Sequence, residues 1–192
     1  YCGHGSMTSW GTTGFSNTHV AALVNDNKLP FIHSVACNVG EFQSGTCFAE
    51  AWLRASHNGE PTGAIGFYGS TISQSWAPPM CAQDETIDLL VGNEKRCWGS
   101  LCFNGACQMN DEYGADGQNE TKFWTVFGDP SLRVRTASPQ AVSAVHIGLI
   151  DPLLPTFTVQ TEPGNLVALS NAGAYVGAAF ADAAGQAVVP IT

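Results

Sequence analysis

The stretch Leu29-Pro30-Phe31-Ile32-His33-Ser34-Val35-Ala36-Cys37 decides the fold of this chain. It is a short apolar run that leaves a turn, the pattern of a buried strand, and Gly63-Ala64-Ile65-Gly66-Phe67-Tyr68-Gly69 repeats it. Between the two lies Thr46-Cys47-Phe48-Ala49-Glu50-Ala51-Trp52-Leu53-Arg54-Ala55, which opens on a capping-type Thr46. Its Phe48, Ala51, Trp52 and Ala55 fall on one helical face, and Asn58-Gly59 ends it. Strand, helix, strand predicts a right-handed crossover and a mostly parallel α/β sheet flanked by helices. Two more helices are expected at about 83–92 and 96–113, with Gly92, Gly99 and Gly105 blurring their ends.

Further along, the composition changes. All seven Lys and Arg, all seven Cys and all five Trp precede Ala137, and only three acids follow it. The later segment is rich in Ala, Val and Gly, with turns at Glu162-Pro163-Gly164-Asn165, Ala172-Gly173 and Ala184-Gly185. Between the turns, Phe157-Thr158-Val159, Leu166 to Leu169, Tyr175 to Ala181 and Ala187-Val188-Val189 read as short strands of a β-sandwich. The expected organisation is an α/β domain over 1–136 and an all-β domain over 137–192, joined near 137–145. A sandwich usually has about seven strands. Only four or five are visible, so a truncated second domain is expected.

Sixteen acids against seven bases give a net charge of -9, which leaves no basic stripe for nucleic acid or an anionic bilayer. With 44% hydrophobic residues the chain can bury a core. Its most apolar stretch, Ala141 to Pro155, is broken by His146, Asp151 and two prolines, and falls short of the roughly 20 residues of a membrane span. The opening Tyr1-Cys2-Gly3-His4-Gly5 has neither an initiator Met nor a signal-peptide layout, so a processed or partial product is expected.

Seven cysteines are too few for a disulfide scaffold and many for a reducing cytosol. If Cys2, Cys47, Cys81, Cys97, Cys102 and Cys107 pair, in a connectivity the sequence does not choose, Cys37 is the spare thiol. Neither His19, His33, His57 and His146 nor Cys102 and Cys107 have the spacing of a transition-metal site. Asn119-Glu120-Thr121 matches a glycosylation sequon.

Cys37 sits where the first strand gives way to Asn38-Val39-Gly40, and reactive groups gather at the carboxyl ends of strands in open α/β sheets. His4, flanked by Gly3 and Gly5, suits a strand-end loop that approaches a substrate closely. A thiol with an imidazole elsewhere in sequence is the minimal equipment for thiolate attack, the imidazole later protonating the leaving amine. The backbone N–H groups of Gly5 and Cys37 are the candidate oxyanion donors. On residue type alone, a strand-end cysteine is more often an inert core thiol.

A family resemblance is more specific. Gly3-His4-Gly5-Ser6, Leu29 to Ile32 leading to Val35-Ala36-Cys37, and Cys47-Phe48-Ala49-Glu50-Ala51 are followed in order by Pro61-Thr62-Gly63 and Ser70 to Met80. Gln83-Asp84-Glu85 and Trp124 to Leu132 continue the series. Together they resemble the catalytic domain of the gingipains, secreted bacterial cysteine endopeptidases of caspase-like fold, and most of all the arginine-specific branch. The resemblance is colinear over most of 1–136; residues 137–192 more weakly resemble the immunoglobulin-like (Ig-like) domain that follows.

The resemblance implies Cys37 as nucleophile, His4 as acid/base partner, and Trp76 and Met80 as walls of the pocket for the residue before the scissile bond. In the lysine-specific branch an acid follows the matching Trp by three positions; here that place is Pro79. Peptide hydrolysis after a basic residue, Arg, is thus expected, on protein and peptide substrates. The acids that would bind arginine and orient the His lie upstream of the His-Gly motif in this family, so the upstream part of the catalytic domain is an expected partner and these residues alone should be inactive. Structural calcium is also implied, with Asp84, Glu85 and Asp129 as candidate contributors. Departures from the family are the order Asn38-Val39-Gly40-Glu41, the less basic Gly114 to Thr121, and the added Cys97, Cys102 and Cys107. The rival expectations are a noncatalytic surface module with Cys37 in a disulfide, and a caspase-like peptidase of another specificity.

Overall fold

The computed structural model describes residues 1–138, 140–151 and 153–191. Pro139 of the expected junction, Pro152 of the broken apolar stretch and Thr192 lie outside the described residues. The chain divides into two compact units, Tyr1–Thr136 and Ala137–Thr192.

The first unit opens with a small antiparallel sheet of β1 (Gly5–Ser6), β2 (Ser9–Trp10) and β3 (Phe15–Ser16), followed by α1 (Asn17–Ala21). Next come β4 (Phe31–Ser34), α2 (Phe48–Arg54), the hairpin of β5 (Ser56–His57) and β6 (Glu60–Pro61), and β7 (Gly66–Ser70). Three helices follow, α3 (Ala77–Val91), α4 (Trp98–Tyr113) and α5 (Ala115–Thr121), before β8 (Trp124–Gly128). The central sheet has the order β4-β7-β8.

Alternation along the strands builds a core on each face of this sheet. Ile32, Ala36 and Phe67 point to one side, where Val20 of α1 and Phe48 and Trp52 of α2 cover them. Val35 and Tyr68 point to the other, against Trp98, Leu101 and Cys102 of α4 and Trp124 of β8. β4 and β7, joined through α2, pair in parallel as their spacing predicts. β8 pairs antiparallel to β7, so the sheet is mixed rather than mostly parallel among the described strands. Thr71, just past the end of β7, donates its N–H to Phe123, so after the three helices the chain re-enters the sheet at that end without a crossover.

Two helix starts differ from the sequence reading. α2 is capped by Cys47 rather than Thr46, with the Glu50 carboxylate accepting the Cys47 N–H at 2.9 Å. α3 begins at Ala77, well before 83, because Pro78 and Pro79 occupy its first turn, where a missing N–H loses no helical bond. The cysteines differ as well: all seven are free thiols. Cys47 and Cys102 are buried in opposite cores, and five-residue spacing on α4 turns Cys102 and Cys107 to different faces.

The second unit consists of β9 (Thr156–Gln160), β10 (Leu166–Asn171), β11 (Ala174–Phe180) and β12 (Gln186–Pro190), paired antiparallel as β9 with β12 and β10 with β11. β9 and β12 alternate strictly, turning Phe157, Val159, Ala187 and Val189 inward. Gly177 lets β11 approach β12 closely, since a Cβ there would collide with the Pro190 carbonyl. Among the described residues, no helix is long and apolar enough to cross a membrane.

Candidate active site

The N-terminal residues run alongside the end of β4. The Tyr1 amino group donates to the His33 carbonyl (2.9 Å), Val35 N–H to the Tyr1 carbonyl (2.8 Å) and Gly3 N–H to the Val35 carbonyl (3.1 Å). Cys2 and Val35 thereby form a parallel bridge. His4 and Cys37 each lie two residues further on, at the same end of both segments. The Gln83 side chain of α3 clamps the pairing by donating to the carbonyls of Tyr1 (3.3 Å) and His33 (3.1 Å).

Past the bridge, the chain turns into the β1–β2 hairpin. His4 is fixed on both sides, its N–H donating to Thr12 Oγ1 (2.9 Å) and its carbonyl accepting from Gly11 N–H (2.7 Å). Gly5 packs so tightly that a Cβ there would lie 2.6 Å from the Cys37 carbonyl oxygen and 2.8 Å from Ala36 Cβ. Only glycine permits that approach. The exposed His4 ring meets the Trp76 ring edge-on, 5.4 Å between centroids at 78°.

Cys37 is half-buried and begins the turn that leaves the sheet. Asn38 takes a left-handed conformation, φ 61°, that asparagine adopts more readily than most residues. Its N–H donates to Ile72 (3.0 Å), its Nδ2 to Glu41 Oε2 (2.9 Å), and its Oδ1 accepts from Ser73 Oγ (3.3 Å). The Cys37 sulfur accepts the Gln74 N–H at 3.4 Å and lies 3.8 Å from the Gln74 carbonyl, to which the thiol donates. The thiol is therefore held by backbone of the 71–76 loop.

The two expected oxyanion donors are positioned differently. Cys37 N–H donates to no backbone acceptor among the described residues. Gly5 stands opposite Trp10 in β1–β2, and because the neighbouring His4 carbonyl takes the Gly11 N–H, Gly5 falls at a non-hydrogen-bonded pair with its N–H turned outward. Trp76 is the residue at the N-cap of α3 and Met80 sits one turn on, its N–H donating to the Trp76 carbonyl at 3.1 Å. Both side chains are exposed, 43% and 37%, on the same helical face. Large apolar groups left in water beside a His and a Cys can serve as pocket walls.

Burial pushes the Cys47 and Cys102 thiols up, and burial with the nearby Glu112, Asp84 and Glu85 charges does the same to Cys81. These thiols resist ionisation. Among the described residues, no group of three or more His, Cys, Asp or Glu could hold a metal. Asp84, Glu85 and Asp129 thus do not converge into a calcium site of their own, and Asp129 Oδ1 instead accepts from Ser131 N–H and Oγ.

Gln74, Ser73, Glu41 and Glu120, which hold the reactive corner, are not singled out by sequence reasoning. Apart from the Asn38–Glu41 pair, three residues apart, their contacts span 35 to 45 residues and carry no local pattern. The one available signal is that Gln74 and Ser75 directly precede Trp76 in a polar, proline-bounded loop.

Peptidase family C25 matches residues 1–135 of the chain. Gingipain R2 of Porphyromonas gingivalis is 45% identical over 186 residues, covering 94% of this chain and 25% of that protein. Gingipain R1 of the same organism is 48% identical over 159 residues, covering 79% of this chain and 16% of that protein. Among solved structures, the crystal structure of the Arg specific cysteine proteinase gingipain R superposes with a TM-score of 0.91 at 43% identity. It covers all of this chain and 46% of its own. The chain thus spans a quarter or less of these curated relatives.

Proposed function

The chain belongs to peptidase family C25, and from that membership and the corner shared by His4 and Cys37 we propose that it carries the catalytic pair of a gingipain-type cysteine endopeptidase. The Cys37 thiolate attacks the scissile carbonyl, forming the S–C bond of a tetrahedral intermediate whose oxyanion takes the Gly5 and Cys37 N–H groups. His4 accepts the thiol proton and delivers it to the departing amine as the C–N bond breaks. Water then loses a proton to His4 as it attacks the acyl-enzyme, and the carboxylic acid leaves with Cys37 restored.

The observation that carries this reading is the parallel Cys2–Val35 bridge with Gly5 packed on the Cys37 carbonyl, which brings the two chain segments to one sheet end. The His4 ring and the Cys37 thiol share no hydrogen bond among the described residues, a separation common in peptidases without substrate. Trp76 and Met80 form the wall for the aliphatic stem of a basic side chain. Similarity to an Arg specific proteinase supports arginine as that side chain.

By the same reading, the α/β unit is the second half of a caspase-like domain, completed by an upstream part that brings the acids for the arginine and for His4. The β unit is Ig-like, and the enzyme acts outside a bacterial cell. Applied to the enzyme with that upstream part present, an arginine-directed, thiol-reactive peptidyl inhibitor tests the core of the proposal. Peptide mapping should find the adduct on Cys37 and lose it in His4→Ala; labelling that ignores the arginine or spreads over the other thiols would overturn it.

A further inference from the structure

The loop from Thr71 to Trp76 touches both reactive groups. Gln74 brackets the Cys37 thiol through its backbone N–H and carbonyl, and Trp76 meets the edge of His4. Its first half is anchored at Thr71, whose N–H and Oγ1 both donate to the Phe123 carbonyl (2.9 and 3.0 Å), and at Ile72 and Ser73, which bond to Asn38. Its second half is held at Trp76, whose carbonyl accepts the Met80 N–H of α3 (3.1 Å), and at Ser75, whose N–H donates to Glu120 Oε1 of α5 at 2.9 Å, from 45 residues away. The Gln74 amide contributes nothing, since its Oε1 and Nε2 are buried without a hydrogen-bond partner.

Glu120 holds this contact at a cost. Its second oxygen, Oε2, is shielded from solvent and has no partner among the described residues. An orphaned carboxylate oxygen is unfavourable, so its retention calls for a compensating role. Below the loop, Ser75, Pro78, Tyr113, Asp116 and Glu120 line a cleft of about 600 Å³, room into which the segment would relax if released.

We propose that Glu120 is a positioning residue for the nucleophile. Its carboxylate fixes Ser75, and through Ser75 it holds the Gln74 N–H on the Cys37 sulfur and Trp76 against His4. The proposal deepens the peptidase reading and rests on it for its kinetic consequence. Loosening the Gln74 bracket uncovers the Cys37 sulfur and moves the loop off the near-attack geometry.

The test compares wild type, Glu120→Ala and Glu120→Gln in the enzyme with the upstream part of its catalytic domain present. Two quantities are read: the rate of iodoacetamide alkylation at Cys37 at one fixed pH, followed by peptide mass spectrometry, and kcat and KM on an arginyl peptide. Glu120→Ala should uncover the sulfur and speed its alkylation several-fold, and lower kcat about tenfold with a smaller change in KM. Glu120→Gln keeps an acceptor for Ser75 N–H and should restore most of both. An alkylation rate and kcat that match wild type in Glu120→Ala would overturn the proposal, as would equal changes in Glu120→Gln and Glu120→Ala. Failure of every variant, wild type included, to cleave arginyl peptides would refute the peptidase reading instead, while the alkylation rate still decides the tether.

Discussion

Cys2 and Val35 face each other in a parallel bridge, and two residues further along each segment stand His4 and Cys37. In parallel pairing, equal steps along two neighbouring segments keep residues abreast. That equality makes the bridge a positioning device, with Gln83 clamping its carbonyls and Gly5 closing the gap beyond it.

Loss of the imidazole should affect chemistry more than binding. His4→Ala is expected to lower kcat by about 10²- to 10⁴-fold, the usual worth of a positioned acid/base. KM for an arginyl peptide should stay within a few-fold, and steady-state kinetics would separate the two.

Adding one methyl at Gly5 is expected to do nearly as much damage. Gly5→Ala would drive a Cβ to 2.6 Å from the Cys37 carbonyl, against backbone that cannot yield without moving Cys37 itself. Destabilisation of about 1–3 kcal/mol in chemical unfolding should accompany the loss of activity. An active, fully stable Gly5→Ala protein would contradict the close packing.

Trp76→Ala should separate binding from folding. Because 43% of Trp76 is exposed, its removal should cost only about 1 kcal/mol of stability, the ordinary cost of a point substitution. As a wall for the substrate stem it should raise KM for arginyl peptides several-fold, with a smaller change in kcat.

Acid should weaken the first unit through His33. This buried ring packs at steep angles against the rings of Tyr68 and Trp124, and burial lowers its pKa from 6.5 to about 3. Below pH 6.5 the unfolded chain takes up a proton that the native state refuses until about pH 3. Stability is therefore full above pH 6.5 and falls as the pH drops through that window, by at most on the order of 4–5 kcal/mol. In urea titrations at several pH values, His33→Phe should flatten this dependence; an unchanged slope would place its origin elsewhere.

Much was legible in the chain because the signals are local. Two apolar runs about a helix predicted the parallel β4–β7 pair, and turn residues marked the four strands of the second unit. The start of α3 was hidden because Pro78 and Pro79 read as loop residues, although prolines are well suited to a first helical turn. The antiparallel β8 was hidden because strand direction depends on where the preceding helices deliver the chain.

For the site, residue types and their order name the groups that can react: a thiol at a strand end, a histidine between glycines, and apolar residues in a polar loop. Residue chemistry and strand periodicity are properties of short segments and can be read directly along the chain. What surrounds those groups is a product of the folded chain. The clamp by Gln83, the Gln74 backbone on the thiol, the left-handed Asn38 and the Glu120 tether join residues up to 82 apart. Such contacts form when folding closes the chain on itself, and no spacing along it foretells them.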